Sequence, residues 1–175
     1  IMRFDLESSI NNNSDVFMGK KCSFAEAAVA GDYHIVILSD YNKGFLRRPH
    51  VLEFTSRMKQ NVYVDSKKKD ISCFMNSIIK LNDIEYRSSG HTVGMSSKII
   101  KTLGCRGASY AGSIYPAQFT EVFDVSGAGD TFLASFSIYH AITDDIVNAI
   151  KFANKCASIA IQRKGTYALS KGDLT

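Results

Sequence analysis

The chain has 175 residues, 45% of them hydrophobic, and a formal net charge of +4. This length and composition suffice for one hydrophobic core, so we expect one domain over residues 1–175. The small charge, whose densest run is Lys67 to Lys69, argues against nucleic acid as a partner. No apolar stretch reaches the roughly 20 residues that span a bilayer, and the first residues lack the order of a signal peptide. We therefore expect a cytoplasmic protein without a membrane partner.

The four cysteines are far apart in the sequence, at Cys22, Cys73, Cys105 and Cys156. They form no C-x-x-C pair and have no nearby histidines of the kind that a zinc site needs. We expect reduced thiols.

The first thirty residues predict a short strand, IMRFD, then a polar loop and a short helix. Ser23 and Glu26, in SFAE, form the pattern of a capping box, and the alanine-rich run after them ends at Gly31.

The next segment, His34 to Leu38, predicts a strand that is buried on both faces, because it is a continuous apolar run between polar residues. Asp40, Tyr41 and Lys43 follow at its carboxyl end, which is where ligands bind in open α/β sheets. A charged loop after a strand is also commonplace, so the position alone is only an indication of a site.

A helix and three further strands follow. Pro49 is a natural first residue for a helix that runs to about Gln60. The strands are predicted at residues 61–65, 77–81 and 99–103. The alternating segment after them predicts a hairpin that turns at Ala111 and Gly112.

Three lysines follow the strand predicted at residues 61–65. Lys67 is placed to meet a phosphate. The simpler alternative is that Lys67, Lys68 and Lys69 form a solvated loop tip, an explanation that has equal weight for the last two. Asn82 and Glu85, after the strand predicted at residues 77–81, form an N-x-x-E pattern that carries almost no information alone.

The stretch Asp124 to Phe132, DVSGAGDTF, combines a glycine loop with a carboxylate. The glycines let the backbone turn sharply and approach a ligand, and a helix is predicted from about Thr131 to Ala141. Free N–H groups at such a helix start bind a phosphate or a developing negative charge, while Asp130 can take a proton. The simpler alternative is a tight loop with an N-capping aspartate. A second helix, capped by Thr143 or Asp144, is predicted to about Ile161.

Taken together, DVSGAGDTF, SDYNKGFL, TLGCRG and AIKFANKCASIAI resemble the ribokinase or PfkB family of sugar kinases. The resemblance implies that Asp130 is the catalytic base and that Gly127, Ala128 and Gly129 form the anion hole. It implies a group of nucleotide-binding residues: Asp40, Lys43, Lys67, Asn82, Thr102, Gly104, Gly107 and Asn154. It implies ATP and Mg²⁺, the latter near Asn82 and Glu85, and places Asp124 and Ser126 near the monovalent-cation site of some relatives.

The resemblance also implies the fold, a ribokinase-like doubly wound α/β sandwich. It covers only the carboxyl-terminal part of a kinase domain, so we expect an incomplete sandwich in which the amino-terminal strands and the β lid are absent, and a rebuilt segment at residues 86–98. The acceptor would be a sugar or sugar phosphate, and SDYNKG is similar to the heptose 7-phosphate kinase branch. The alternatives are another PfkB sugar or nucleoside kinase, or a catalytically silent nucleotide-binding fragment. The chain would pair with a missing amino-terminal half or with a second copy.

Overall fold

The computed structural model describes residues 34–44, 46–58, 61–90, 92 and 97–174. The strand predicted at IMRFD, the helix predicted after Ser23, and Cys22 lie outside these residues. Within the described part of the chain, Cys73, Cys105 and Cys156 are free thiols.

The described residues form one six-stranded sheet whose spatial order follows the chain order. Four parallel strands are followed by an antiparallel pair. The strands are β1 (Val36–Asp40), β2 (Val62–Ser66), β3 (Ser77–Asn82), β4 (Lys98–Thr102), β5 (Ala108–Tyr110) and β6 (Ser113–Tyr115). β5 and β6 are the predicted hairpin, and the residues at its turn, Ala111 and Gly112, both have positive φ, as a tight hairpin requires.

Four α-helices and two short 3₁₀ turns complete the described fold. The helices are α1 (Arg48–Arg57), α2 (Asp83–Ser88), α3 (Ala128–Thr143) and α4 (Ile146–Ala160), and the turns are Gly104–Arg106 and Lys171–Asp173. None of the helices within the described ranges is both long enough and apolar enough to cross a membrane.

Both faces of the sheet are covered, because successive side chains of a strand point to opposite faces. Val62 and Val64 of β2 belong to a core with α1, whereas Tyr63 between them belongs to a second core with α3 and α4. On β3, Ile79 lies in the first core and Ile78 in the second. The prediction of a doubly wound α/β sandwich is confirmed.

The two long helices begin at other residues than the sequence pattern predicts. α3 starts at Ala128 rather than near Thr131, because Gly127 takes a left-handed conformation and lets the chain enter the helix at once. Asp130 therefore lies in the first helical turn. α4 is capped by Asp145, whose side chain accepts a hydrogen bond from the N–H of Asn148 at 2.9 Å. Asp144 instead ends α3 in a left-handed conformation.

A buried hydrogen bond ties α3 to the middle of the sheet. The hydroxyl of Tyr63 lies 2.9 Å from Nδ1 of His140, and the His140 ring stacks on Phe136. Burial lowers the pKa of His140, although the nearby Asp144 carboxylate opposes that effect. Burial also raises the pKa of Tyr63 to about 12. Both side chains are therefore held in their neutral forms.

This pair predicts how stability depends on pH. The unfolded chain takes up a proton on His140 near its ordinary pKa of 6.5, whereas the folded protein resists it. The free energy of unfolding should thus fall as the pH drops below about 6.5, by at most about 1.4 kcal/mol per pH unit from this group. Urea unfolding between pH 8 and pH 5 measures the fall.

The variant His140→Phe should flatten that pH dependence while keeping the ring stack. The matched control is His50→Gln, because His50 is exposed on α1 and its loss should leave the pH dependence unchanged. An equally steep fall in His140→Phe would contradict the assignment.

Candidate active site

A cleft of about 990 Å³ lies where the parallel strands end and α3 begins. Side chains or backbone of most of the predicted site residues line it. They are Asp40, Lys67, Asn82, Thr102, Gly104, Gly107, Gly127, Ala128, Gly129, Asp130 and Asn154. The cleft lining does not include Lys43, Glu85, Asp124 or Ser126.

The glycine loop enters α3 through a strained backbone conformation. Gly127 has φ of +77°, and a Cβ atom there would lie 2.8 Å from Cγ2 of Thr166. Both constraints require glycine at this position. Gly127 is the N-cap of α3, and its carbonyl accepts the first helical bond, from the N–H of Thr131 at 2.9 Å.

Three N–H groups of this loop have no hydrogen-bond acceptor among the described residues: those of Gly127, Gly129 and Asp130. The N–H of Ala128 differs, because it donates to the carbonyl of Val125 at 3.2 Å. Unpaired N–H groups at a helix start carry partial positive charge and bind anions. The loop thus offers three donors to a ligand in the cleft, beside the exposed carboxylate of Asp130, and the N–H of Ala128, which the resemblance placed in the anion hole, is not among them.

Asp124 fixes the entrance to the loop. Its Oδ1 accepts a hydrogen bond from the N–H of Ser126 and its Oδ2 one from the N–H of Gly165, each at 2.9 Å. Both bonds lower the pKa of Asp124, and the bond from Ser126 has the larger effect. The carboxylate thus joins the loop to the segment that follows α4.

Asn82 and Glu85 close a capping box at the start of α2. Oδ1 of Asn82 accepts from the N–H of Glu85, and Oε2 of Glu85 accepts from the N–H of Asn82, both at 2.8 Å. The other oxygen of Glu85 accepts from Nζ of Lys67. Burial alone would lower the pKa of Lys67, but this bond and the Asp65 charge outweigh burial and raise it.

Asp40 is buried and joins the carboxyl ends of β1 and β2. Its Oδ2 lies 3.0 Å from both Oγ of Ser66 and Nζ of Lys68, while its Oδ1 accepts from the N–H of Asn42 at 2.8 Å. Its carboxylate is therefore engaged in holding the edge of the cleft. Lys43 is exposed on the loop beyond it.

The wall of the cleft near β6 depends on Asn154 and Gly107. Nδ2 of Asn154 donates to the carbonyl of Tyr115 at 2.8 Å and to that of Pro116 at 3.3 Å. Gly107 has φ of +89°, and a Cβ atom there would lie 2.2 Å from the carbonyl oxygen of Tyr115. Asn154 thus holds the segment after β6 against α4, and the missing side chain of Gly107 lets that segment pack against the residues before β5.

Sequence reasoning missed two groups of cleft residues. Lys80 and Asp65, on neighbouring strands, form a mostly buried ion pair with 2.5 Å between Nζ and Oδ2. The signal available was a lysine inside the otherwise apolar strand SIIKLN. The second group is an apolar rim of exposed side chains after β6, namely Phe119, Val122 and Val125.

No cluster of three or more His, Cys, Asp or Glu side chains that could hold a metal ion occurs in the part of the chain that the structure describes.

Comparison with known proteins agrees with this geometry. The model of the pfkB family carbohydrate kinases matches residues 80–171, more than half of the chain, including the end of β3, the glycine loop, α3 and α4. The chain belongs to the pfkB family of carbohydrate kinases.

Relatives within this family are longer than the chain. It is 30% identical over 197 residues to the bifunctional protein HldE of Ectopseudomonas mendocina, covering 99% of this chain and 41% of that protein. It is also 30% identical over 201 residues to the bifunctional protein HldE of Pelobacter propionicus, covering 99% and 41%. The chain thus spans about two fifths of the length of these curated relatives.

Solved structures of pfkB-type kinases share the fold. Phosphofructokinase-2 of Escherichia coli, in complex with potassium, superposes with a TM-score of 0.73 at 16% identity, covering 89% of this chain and 60% of that one. Ribokinase of Arabidopsis thaliana, complexed with ribose and ATP, superposes with a TM-score of 0.61 at 18% identity, covering 91% and 56%.

The glycine loop yields a stability prediction. Gly127→Ala should destabilise the protein through left-handed strain of about 1–2 kcal/mol and through overlap with Thr166, which adds about 1–3 kcal/mol. Gly112→Ala is the matched control, because Gly112 has φ of +82° but no atom within 4 Å of its Cβ position. Urea unfolding at pH 7 should show the larger loss for Gly127→Ala.

The double variant Gly127→Ala/Thr166→Ser lacks Cγ2 of Thr166. Its loss of unfolding free energy should therefore be as small as that of Gly112→Ala. Equal losses for the two single variants would show that Thr166 does not constrain the loop.

Proposed function

We propose that this chain carries the nucleotide half of a kinase that transfers a phosphoryl group from ATP to a hydroxyl of a sugar or sugar phosphate. One observation carries the proposal: the exposed carboxylate of Asp130 lies in the first turn of α3, beside three N–H groups without an acceptor among the described residues. Phosphoryl transfer needs both a base for the hydroxyl proton and fixed positive charge for the transferring group.

In this proposal Asp130 accepts the proton of the acceptor hydroxyl. The N–H groups of Gly127, Gly129 and Asp130 stabilise the negative charge on the transferring phosphoryl group, and the positive end of the α3 dipole adds to their effect. The N–H of Ala128 holds the loop in shape through Val125. Orientation and charge stabilisation, rather than covalent chemistry, lower the barrier.

Magnesium, when bound with ATP, neutralises charge on the phosphate oxygens. The oxygens of Asn82 and Glu85 already accept hydrogen bonds, so we assign them to the waters of the ion rather than to direct coordination. We place a monovalent cation near Asp124 and Ser126. The potassium complex of E. coli phosphofructokinase-2 supports the kind of ion, and the family resemblance of the segment supports the choice of residues.

For the acceptor we propose the C1 hydroxyl of heptose 7-phosphate. The segment Ser39–Gly44, SDYNKG, supports it, because it is similar to heptose 7-phosphate kinases and lies at the carboxyl end of β1. A pfkB kinase for ribose, fructose or a nucleoside is the alternative, and assays with a panel of these acceptors separate the two.

We also propose that β1 pairs with a further segment of the whole protein. Within the described ranges β1 pairs only with β2, so its outer edge has no partner strand among those residues. The greater length of the relatives makes another part of the same protein the preferred occupant, and a second copy of this chain is the alternative.

The test of the base uses this chain completed with the amino-terminal part of a relative. Asp130→Asn should lower kcat about 10²- to 10⁴-fold, the usual contribution of a general base, and leave the affinity for Mg-ATP nearly unchanged. Steady-state kinetics and calorimetry measure the two quantities.

Asp145→Asn is the matched control, because Asp145 caps α4 away from the cleft lining and should not affect kcat. Near-normal turnover of Asp130→Asn would reject the assignment of Asp130. Loss of ATP affinity instead would make Asp130 a structural residue.

A further inference from the structure

We propose that Lys80 contacts the terminal phosphoryl group of the nucleotide opposite the glycine loop, and that Asp65 orients Lys80 for this contact. The inference deepens the proposed function, on which it rests, by adding a phosphoryl-binding side chain from the sheet to the backbone donors of the loop.

The first argument is the location of the lysine. Lys80 lies on β3, a central strand, between the buried residues Ile79 and Leu81, and only 7% of its side chain is exposed. Burying an ammonium costs several kcal/mol even when it is paired, and an apolar pair in its place is often as stable or more stable. Stability therefore does not account for a lysine here.

The second argument is its distance from the loop. A Cβ atom on Gly129 would lie 3.0 Å from Nζ of Lys80, so the ammonium sits directly against the start of α3. The helix start carries a partial positive charge and the ammonium a full one, so the two repel each other. An anion that contacts both the ammonium and the N–H groups of the helix start would turn that repulsion into attraction to both.

The third argument is the count of donors. Lys80 has three N–H bonds, and its only acceptor among the described residues is Oδ2 of Asp65. Two ammonium donors therefore line the same cleft as the free N–H groups of Gly127, Gly129 and Asp130. A phosphoryl group, with several acceptor oxygens and a charge near −2, satisfies such a set of donors.

Asp65 completes the arrangement. It pairs with Lys80 in the register of β2 and β3, so both side chains leave the sheet on the face of α3. Its Oδ2 holds the ammonium, and its Oδ1 is buried without a hydrogen-bond partner in the described part of the chain. This carboxylate fixes the position of the Lys80 ammonium and leaves two of the ammonium's N–H donors for a ligand.

The test is calorimetric titration of the folded chain with Mg-ATP, Mg-ADP, AMP and adenosine. Lys80→Met should weaken binding of ATP by about 10- to 100-fold, the effect of losing a hydrogen bond to a charged group, and leave AMP and adenosine nearly unchanged. A structural role would weaken binding of all four ligands alike.

Two further variants guard against misfolding and non-specific charge effects. The double variant Asp65→Asn/Lys80→Met removes both charges, so that no unpaired buried charge remains, and should show the same loss for ATP. Lys101→Met is the matched control, because Lys101 lies on the neighbouring strand, contacts Asp83 and Tyr86, and is absent from the cleft lining. It should bind ATP like the unmodified chain.

The outcomes separate the two proposals. If the unmodified chain binds none of the ligands while folded, the proposed function fails. If it binds ATP and the double variant binds ATP equally well, only the role of Lys80 fails.

Discussion

At Gly127 the chain turns with φ of +77° against the side chain of Thr166, and α3 begins at the next residue. This turn decides where the first N–H groups of the helix lie and places Asp130 among them. Asp124 holds the turn from outside through the N–H groups of Ser126 and Gly165. The backbone geometry thus sets the positions of the N–H groups and of Asp130, and a side chain at Gly127 would disturb all of these positions.

The sheet supplies the opposite wall of the cleft. Because parallel strands end at the same edge, their terminal residues meet there, and lysine–carboxylate pairs join neighbouring elements across that edge. The pairs are Lys68 with Asp40, Lys67 with Glu85, and Lys80 with Asp65. These pairs bring cations to the place where an anionic ligand would bind. Until a ligand binds, each carboxylate limits the repulsion between the lysine ammonium groups.

Much of the fold could be predicted from the sequence. Apolar runs located the four parallel strands to within two residues, and Ala111 and Gly112 located the hairpin, because these signals are local. The start of α3 was misplaced by three residues. A glycine-rich sequence gives no apolar period, and only the left-handed conformation of Gly127 shows that the helix begins at Ala128.

The site was harder to predict than the fold. The sequence located most of the residues that line the cleft, but it could not show that Asp40 and Glu85 are engaged in hydrogen bonds that hold other elements. Lys80 was missed because a lone lysine in an apolar strand acquires meaning only from the two groups beside it, Asp65 and Gly129, which are distant in sequence.

The proposed function requires that the glycine loop binds the phosphoryl groups of a nucleotide. Amide NMR of the isotope-labelled chain, titrated with Mg-ATP and separately with adenosine, tests it most directly. We predict that the N–H resonances of Gly127, Gly129 and Asp130 shift with Mg-ATP but not with adenosine, while that of Gly112, at the remote hairpin, stays in place. Unshifted loop resonances in a chain that binds Mg-ATP would contradict the account.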